Sequence, residues 1–180
     1  EESATHPQGV YATSKLAGEQ AVAAGCAQHL ILRTAWLYSH RGKNFFKTML
    51  RLAQERTELR VVNDQTGSPT YARLVAETTL AMLQQMYPGG RLQTARCGLY
   101  HLACGGSATW YEFASHIIRL AGLAGRVRVV PIPTRDYPTP APRPAYSVLS
   151  GAKLQRVFGL RLPDWQMGLE QCFADRTADR

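Results

Sequence analysis

Apolar and polar residues are arranged in two ways along the chain, one typical of helices and one typical of buried strands. Residues 9–24 are rich in Ala, Lys, Glu and Gln, which favour a helix, and Gly25 is placed to end it. Residues 29–34, HLILRT, are a short run of branched apolar side chains that predicts a strand buried on both faces. After a loop, Asn44 can cap a second helix, in which apolar residues recur at helical spacing.

The alternation continues beyond residue 58. Residues 59–62 predict a second strand, and the NDQTGSP that follows is dense in turn residues. Thr70 is expected to open a helix that extends to about Met86. Residues 98–103, GLYHLA, predict a third strand.

The last third of the chain contains the clearest helix signal. Thr109 and Glu112 have the spacing of a capping box, which predicts a helix from about Trp110 to Leu123. RVRVVPI is the fourth predicted strand. Two short helices are expected near the C-terminus, the second capped by Asp164.

A proline-rich stretch separates the fourth strand from these last helices. Six of the ten prolines fall between residues 131 and 144, which excludes a helix or a central strand there. A flexible linker is one interpretation. An ordered loop over a pocket is the favoured one, because too little chain follows for another domain.

Strands that alternate with helices predict an α/β fold with parallel strands. Folds of this kind bind ligands beyond the carboxyl ends of their strands. Residues 34–44 and 63–70 fall at such positions. The 180 residues suit one domain of ordinary size.

Composition and charge narrow the function classes. With 45% apolar and 19% charged residues the chain has a globular composition, and its net charge is +8. The basic residues are spread thinly and form no basic arm interleaved with aromatics, so we expect no nucleic acid partner. An anionic small ligand, or a missing acidic segment of a longer protein, accounts for the charge at least as well.

Cysteine and histidine spacing predicts no metal site built from these two residue types. The four cysteines form no CxxC pair, and the five histidines show no HxH or HxxxH spacing. No apolar run is long enough to span a membrane, and the first residues do not have the composition of a secretory signal. We therefore expect a cytoplasmic protein with no membrane partner.

Tyr11 and Lys15 lie four residues apart in YATSK and so share one face of the first predicted helix. A phenol has a pKa of about 10, and a nearby ammonium favours its ionised form. Tyr11 could then protonate a carbonyl oxygen that receives a hydride. An exposed helix pair without a function has the same spacing.

Longer motifs support the functional interpretation. YATSKLAGEQAV, LILRTAWLY, GKNFFKTML, VVNDQTGSPTYA, GLYHLACGG, TWYEFA, YPTPAPRPAYSVLS and LPDW occur in this order between about Val10 and Phe173. Together they resemble the dTDP-4-dehydrorhamnose reductases, which are extended short-chain dehydrogenases/reductases. The resemblance implies the C-terminal part of that fold: a partial Rossmann sheet with a smaller substrate-binding domain.

The resemblance assigns roles to four residues, and side-chain chemistry suggests a role for a fifth. Tyr11 would protonate the C4 carbonyl of the sugar, and Lys15 would bind the nicotinamide ribose, so both count as catalytic and cofactor-binding residues. Trp36 would lie against the sugar nucleotide, unless it is a core residue. Asn44 matches a substrate-binding position but equally suits a helix cap. Arg143 could pair with the substrate's phosphates or lie free in a solvated loop.

The chain departs from the family pattern in two ways. The first departure is Tyr146, which stands where the family usually has Asn. Residues 66–69, in contrast, match a family loop beside the pocket, which is expected to supply shape more than chemistry. The glycine-rich turn that holds the pyrophosphate of NADPH has no counterpart, because CGGSA lacks the G-x-G-x-x-G spacing. We expect residues 1–58 to be a Rossmann remnant with the catalytic helix and residues 59–180 a substrate-binding domain, with intermixed boundaries.

The motifs lead to one expected function, with two alternatives. The chain is expected to bind a dTDP-sugar as part of an NADPH-dependent reductase and to be inactive alone. The family also implies that Mg²⁺ can bind at a subunit interface, for which no ligands are assigned. A strand at residues 29–34 without neighbours on one side predicts a homo-oligomer. The alternatives are a non-catalytic regulatory subunit like that of methionine adenosyltransferase, or another nucleotide-sugar reductase or epimerase.

Overall fold

The computed structural model describes residues 1–141 and 143–178. Within them the chain forms six α-helices: α1 (Gly9–Gly25), α2 (Phe45–Glu55), α3 (Ala72–Met86), α4 (Trp110–Leu120), α5 (Ala152–Phe158) and α6 (Trp165–Ala178). Its strands are β1 (Leu30–Arg33), β2 (Leu37–Tyr38), β3 (Glu58–Val62), β4 (Thr66–Gly67), β5 (Thr70–Tyr71), β6 (Gly98–His101), β7 (Ala108–Thr109) and β8 (Arg128–Ile132). The helices and strands alternate, so the predicted α/β fold is confirmed.

The strands pair two by two. Parallel pairs form between β1 and β6, β2 and β5, and β3 and β8, and an antiparallel pair forms between β4 and β7. Because β1 pairs with β6, the expected Rossmann remnant and the expected substrate-binding domain share a sheet. A division at residue 58 stays a prediction.

The core lies between α2, α4, α6 and the strands beside them. Phe46 of α2, Phe113 and Ile117 of α4 and Leu169 of α6 have no solvent exposure. The apolar residues of α2 and α4 recur on one face, as the sequence predicted, and that face packs inward. Burial of these apolar side chains stabilises the packing of α2, α4 and α6 against one another.

Helix α1 lies outside this core. The structure describes all of its residues, and none of them is buried; Val10 and Tyr11 are 87% and 76% exposed. An ion pair connects the helix to β1: Arg33 donates to both carboxylate oxygens of Glu19, at 2.8 and 2.5 Å. Strand β1 is only half-buried, so the prediction of burial on both faces was wrong.

Three short strands lie where the sequence predicted loop, turn or helix. Strand β2 lies in the segment after β1, β4 lies in the turn-rich NDQTGSP, and β5 occupies Thr70 and Tyr71. Helix α3 therefore begins at Ala72, two residues later than predicted. Each of these strands has only two residues and depends on a partner distant in sequence.

Two helix ends also differ from the prediction. Helix α4 ends at Leu120, and Gly122 adopts a left-handed φ of 71° that suits a turn. Helix α6 has 14 residues and is longer than expected. In the proline-rich stretch, Pro131 belongs to β8, and Pro142 lies outside the described residues. In the described part of the chain, no helix is both long and apolar enough to cross a membrane.

Candidate functional site

Tyr11 and Lys15 meet on the surface of α1. The Lys15 Nζ lies 5.4 Å from the centroid of the Tyr11 ring, the one-turn contact that the sequence predicted. The phenol is 76% exposed, so a ligand can reach its hydroxyl. Helix α1 thus presents a proton donor and an ammonium side by side.

Trp36 lies in a strained position after β1. Its φ is 46°, and it is the only residue other than glycine with a positive φ among those the structure describes. Its indole stacks on that of Trp110, with centroids 3.5 Å apart and planes 7° from parallel. Gly67 lies so close that a Cβ there would be 2.3 Å from Cε2 of the indole. A non-glycine residue held in this conformation is a common mark of a functional site.

A cavity of about 570 Å³ opens beside this stack, between α2, β3, α4 and the proline-rich stretch. Its lining combines aromatic, aliphatic and basic side chains. The lining residues are Phe45, Thr48, Met49, Leu52, Arg56, Leu59, Arg60, Val61, Val62, Gln65, Trp110, Tyr137, Thr139 and Arg143. The prediction that the proline-rich stretch lies over a pocket is confirmed by Tyr137, Thr139 and Arg143.

Three arginines give the cavity a positive lining. Arg56, Arg60 and Arg143 all line it, and no Asp or Glu is among the described residues that do so. Asp136 lies just outside, with Oδ2 4.0 Å from Arg60 Nη2. Guanidinium groups around aromatic side chains suit a ligand with phosphates and a planar ring.

Asn44 holds the helix that forms one wall of this cavity. Its Oδ1 accepts from Lys47 N at 3.2 Å, and its Nδ2 donates to the carbonyl oxygens of Ser39 and Arg41 at 2.8 and 2.9 Å. The helix-cap alternative is therefore seen in the structure. Contact between Asn44 and a substrate stays a prediction.

The proline-rich stretch is anchored to residues 64–66 at both ends. Thr134 donates from its backbone to Asp64, and the hydrogen bonds from its hydroxyl and backbone N–H hold the pKa of Asp64 below the ordinary value. Gln65, which is 6% exposed, donates to the Thr134 hydroxyl at 3.0 Å. At the other end, Thr66 N donates to Ala145 O at 2.8 Å. These bonds anchor the chain at Thr134 and Ala145, on the two sides of Arg143.

The structure brings some of the predicted residues together and leaves others apart. Arg143 lines the cavity. Trp36 does not line it but stacks on Trp110, which does. Tyr11 and Lys15 are paired on α1 and do not line the cavity in the described residues.

The residue that replaces the family's usual Asn lies on the surface. Tyr146 is 69% exposed and forms a bridge to Thr66 of β4.

Sequence reasoning missed Trp110, Arg56, Arg60 and Tyr137. Trp110 directly follows the predicted capping residue Thr109, so the sequence marks it as the first residue of a helix. A tryptophan at a helix start can equally be a core residue, and nothing in the sequence indicates a cavity beside it. Arg56 and Arg60 are four residues apart, but nothing in the sequence places them beside Trp110 and Tyr137. Only the tertiary structure gathers them around one cavity.

Other candidate chemistry is weaker. In residues 1–141 and 143–178, no three His, Cys, Asp or Glu side chains are grouped so as to hold a metal ion. All four cysteines are free thiols, and burial raises the pKa of Cys104 and, to about 12, that of Cys172. Burial thus disfavours the nucleophilic thiolate form of both side chains.

The alternating α/β fold, which carries a Tyr-x-x-x-Lys pair on an exposed helix and a basic aromatic cavity, matches the C-terminal part of extended short-chain dehydrogenases/reductases of known structure. Comparison with known proteins specifies the family. The model of the RmlD substrate binding domain matches residues 1–178, so the chain belongs to that family.

Relatives with known names support the assignment. The dTDP-4-dehydrorhamnose reductase of Shigella flexneri is 46% identical over 175 residues, which is 95% of this chain and 57% of that protein. The chain therefore spans little more than half the length of this relative. This relative is a reductase by name, and the alternative of a regulatory subunit like that of methionine adenosyltransferase is not favoured.

Two solved structures have the same fold. A dTDP-4-dehydrorhamnose reductase from Clostridium acetobutylicum has a TM-score of 0.89 and 36% identity, over 98% of this chain and 59% of that one. The reductase from Bacillus anthracis, solved in complex with NADP, has a TM-score of 0.83 and 38% identity, over 97% of this chain and 58% of that one.

Proposed function

We propose that this chain is the substrate-binding and catalytic-helix part of an NADPH-dependent dTDP-4-dehydrorhamnose reductase of the cytoplasm. The whole enzyme would convert dTDP-4-dehydro-6-deoxy-L-mannose to dTDP-L-rhamnose, a precursor of lipopolysaccharide O-antigen. Family membership supports this proposal. The observation that carries it is the basic, aromatic cavity beside Trp36.

The cavity suits the nucleotide end of the substrate. Arg56, Arg60 and Arg143 would pair with the diphosphate, because guanidinium groups bind phosphate oxygens bidentately. Phe45 and Tyr137 line the same space and offer ring surfaces to the thymine. The chain's net charge of +8 would favour approach of such an anion.

Trp36 would contact the sugar. Its indole is held rigidly by Trp110 and Gly67, so it offers a flat apolar surface at a fixed angle. Asn44 would act on the substrate mainly through α2, because its side chain makes the helix cap. Direct contact with the sugar nucleotide is the further role proposed for it.

The proton transfer is assigned to α1. When bound, NADPH supplies a hydride to C4 of the sugar. Tyr11 would donate its phenolic proton to the C4 oxygen, and Lys15, one helical turn away, would bind the nicotinamide ribose and stabilise the phenolate. The exposed Tyr11 and Lys15 fit the ribose end of the cofactor. The 180 residues contain no G-x-G-x-x-G turn for its pyrophosphate.

The isolated chain is therefore proposed to bind the sugar nucleotide without reducing it. Orientation of a hydride donor against its acceptor supplies a large part of such a rate enhancement. The pyrophosphate site that would orient NADPH has no counterpart in these residues.

Calorimetric titration of the 180-residue chain tests the binding site. We expect dTDP-rhamnose to bind and NADPH not to bind. Arg143→Ala should raise the Kd for dTDP-rhamnose by about 10- to 100-fold, because it removes a charge-assisted hydrogen bond. Arg91→Ala, at an exposed arginine outside the cavity, is the matched control. Failure of dTDP-rhamnose to bind, or equal losses in the two variants, would contradict the proposal.

A chimera tests the catalytic assignment. The N-terminal part of the Shigella flexneri relative, joined to this chain, should oxidise NADPH in the presence of dTDP-4-dehydrorhamnose. Tyr11→Phe should lower kcat by about 10²- to 10⁴-fold with little change in dTDP-rhamnose affinity. A Tyr11→Phe chimera with unaltered kcat would remove the role given to this residue.

A homo-oligomer is also proposed. In the described residues β1 pairs only with β6, so its other edge is available to a second copy. Light scattering should show a dimer or larger species at micromolar concentration. A monomer at every concentration would contradict this.

A further inference from the structure

Trp110 has two neighbours that matter for the proposed site. One is Trp36, whose indole stacks on it with centroids 3.5 Å apart. The other is the cavity, which Trp110 lines together with Phe45, 4.6 Å away between ring centroids. Trp110 therefore lies between the proposed nucleotide site and the proposed sugar contact.

The backbone around Trp110 is fixed. Trp110 is the first residue of α4, directly after the capping box in which Thr109 and Glu112 exchange hydrogen bonds. Thr109 also pairs with Thr66 in the β4–β7 ladder. A ring held at a helix start and beside a strand ladder can act as a rigid support.

Trp36, in contrast, has a conformation that its own backbone does not favour. Its φ of 46° is costly for a bulky residue, and surrounding contacts must maintain it. The carbonyl oxygen of Trp36 accepts from Thr70 N at 3.2 Å, which holds the backbone, and Gly67 leaves room for the indole on one side. The stack on Trp110 is a further contact of the ring.

We propose that Trp110 is a positioning residue for substrate recognition: it holds the Trp36 indole at the angle at which Trp36 meets the sugar. This inference rests on the proposed function, in which Trp36 contacts the sugar of a dTDP-sugar. Trp110 would thus link recognition of the sugar to occupation of the cavity by the nucleotide.

The ratio of the Kd for dTDP to the Kd for dTDP-rhamnose measures the contribution of the sugar. Trp36→Ala and Trp110→Leu should each lower this ratio by about threefold or more, and the double variant should lower it no further, because both act through the same indole. Trp165→Phe, at the third tryptophan, is the control and should leave the ratio unchanged. Additive losses in the double variant would overturn the proposal.

A spectroscopic measurement tests the same stack without ligand. In a Trp165→Phe background only the two stacked indoles remain, and they should give an exciton couplet in circular dichroism. Trp110→Phe keeps an aromatic ring and should abolish the couplet while the protein stays folded. A couplet that survives, or a ratio unaffected by Trp110→Phe and Trp110→Leu, would overturn the proposal.

The outcomes separate the two proposals. If dTDP-rhamnose binds and Trp36→Ala lowers the ratio while both Trp110 variants leave it unchanged, the proposed function stands and Trp110 has no positioning role. If neither dTDP nor dTDP-rhamnose binds the parent chain, or if Trp36→Ala has no effect, both the assignment of the sugar contact and this inference are overturned.

Discussion

Replacing Gly67 with Ala tests the packing that holds Trp36. The added Cβ would lie 2.3 Å from Cε2, 2.6 Å from Nε1 and 2.7 Å from Cζ2 of the Trp36 indole. Carbon atoms in contact prefer about 3.5 Å or more, so the indole must move by about 1.2 Å. Because Trp36 already touches Trp110, this movement breaks the stack or displaces both rings.

The expected cost has two parts. Overpacking of a closely packed site costs about 1–3 kcal/mol, and loss of an aromatic pair costs about 0.5–1.5 kcal/mol more. The free energy of unfolding of Gly67→Ala should therefore fall by about 1.5–4.5 kcal/mol. With a urea dependence of about 2 kcal/mol per molar, the unfolding midpoint should fall by about 0.8–2.2 M.

Urea unfolding followed by tryptophan fluorescence measures this shift. The φ of Gly67 lies outside the left-handed region, so the substitution tests space alone. Gly125→Ala is the matched control, because its Cβ would meet no atom within 4 Å. It should change the unfolding free energy by less than about 0.5 kcal/mol. A Gly67→Ala protein as stable as the parent would refute the reasoning.

Three further predictions concern the rest of the molecule. Glu19→Gln removes the ion pair with Arg33, so amide hydrogen exchange in α1 should become about fivefold faster; unchanged rates would show that other contacts hold the helix. A hydrogen bond from Tyr71, and to a smaller extent one from Arg73, holds the pKa of Asp175 below its ordinary value of 3.8. This stabilisation is present above about pH 4 and is lost as the pH falls through the folded pKa, so the difference in unfolding free energy between the parent and Asp175→Asn should shrink below pH 4; a pH-independent difference in denaturant titrations would contradict it. Phe113→Ala, at a fully buried ring, should cost about 3–5 kcal/mol by thermal or urea unfolding, and a cost below 1 kcal/mol would show that the core does not depend on it.

Local signals made α2 and α4 predictable. Asn44 and Thr109 cap these helices in the structure as their residue types suggested, because a cap needs only side chains within three residues. The apolar residues behind each cap recur every three or four positions and form the buried face. The Tyr11–Lys15 contact is local in the same sense, since one helical turn sets it.

Non-local contacts were beyond the sequence. The two-residue strand β4 exists because it pairs with β7, and its segment was predicted as a turn from composition alone. The stack of Trp36 on Trp110 depends on the same tertiary contacts, as does the gathering of Arg60 with Arg143. The resemblance to a family pointed to Trp36, and the chemistry of the guanidinium group pointed to Arg143. Neither gave the rings and charges that surround these two residues.

Pro131 in β8 affects how this protein behaves in concentrated solution. Arg128 N donates to Thr57 O, and Ile132 O accepts from Asn63 N, so alternate residues of β8 direct their backbone groups toward β3. Pro131 falls on the opposite side, where its missing N–H costs no bond in the β3–β8 ladder. A strand from another molecule that approached this side would find one donor absent and a rigid ring in the way. The outer edge of β8 is thus a poor template for edge-to-edge aggregation.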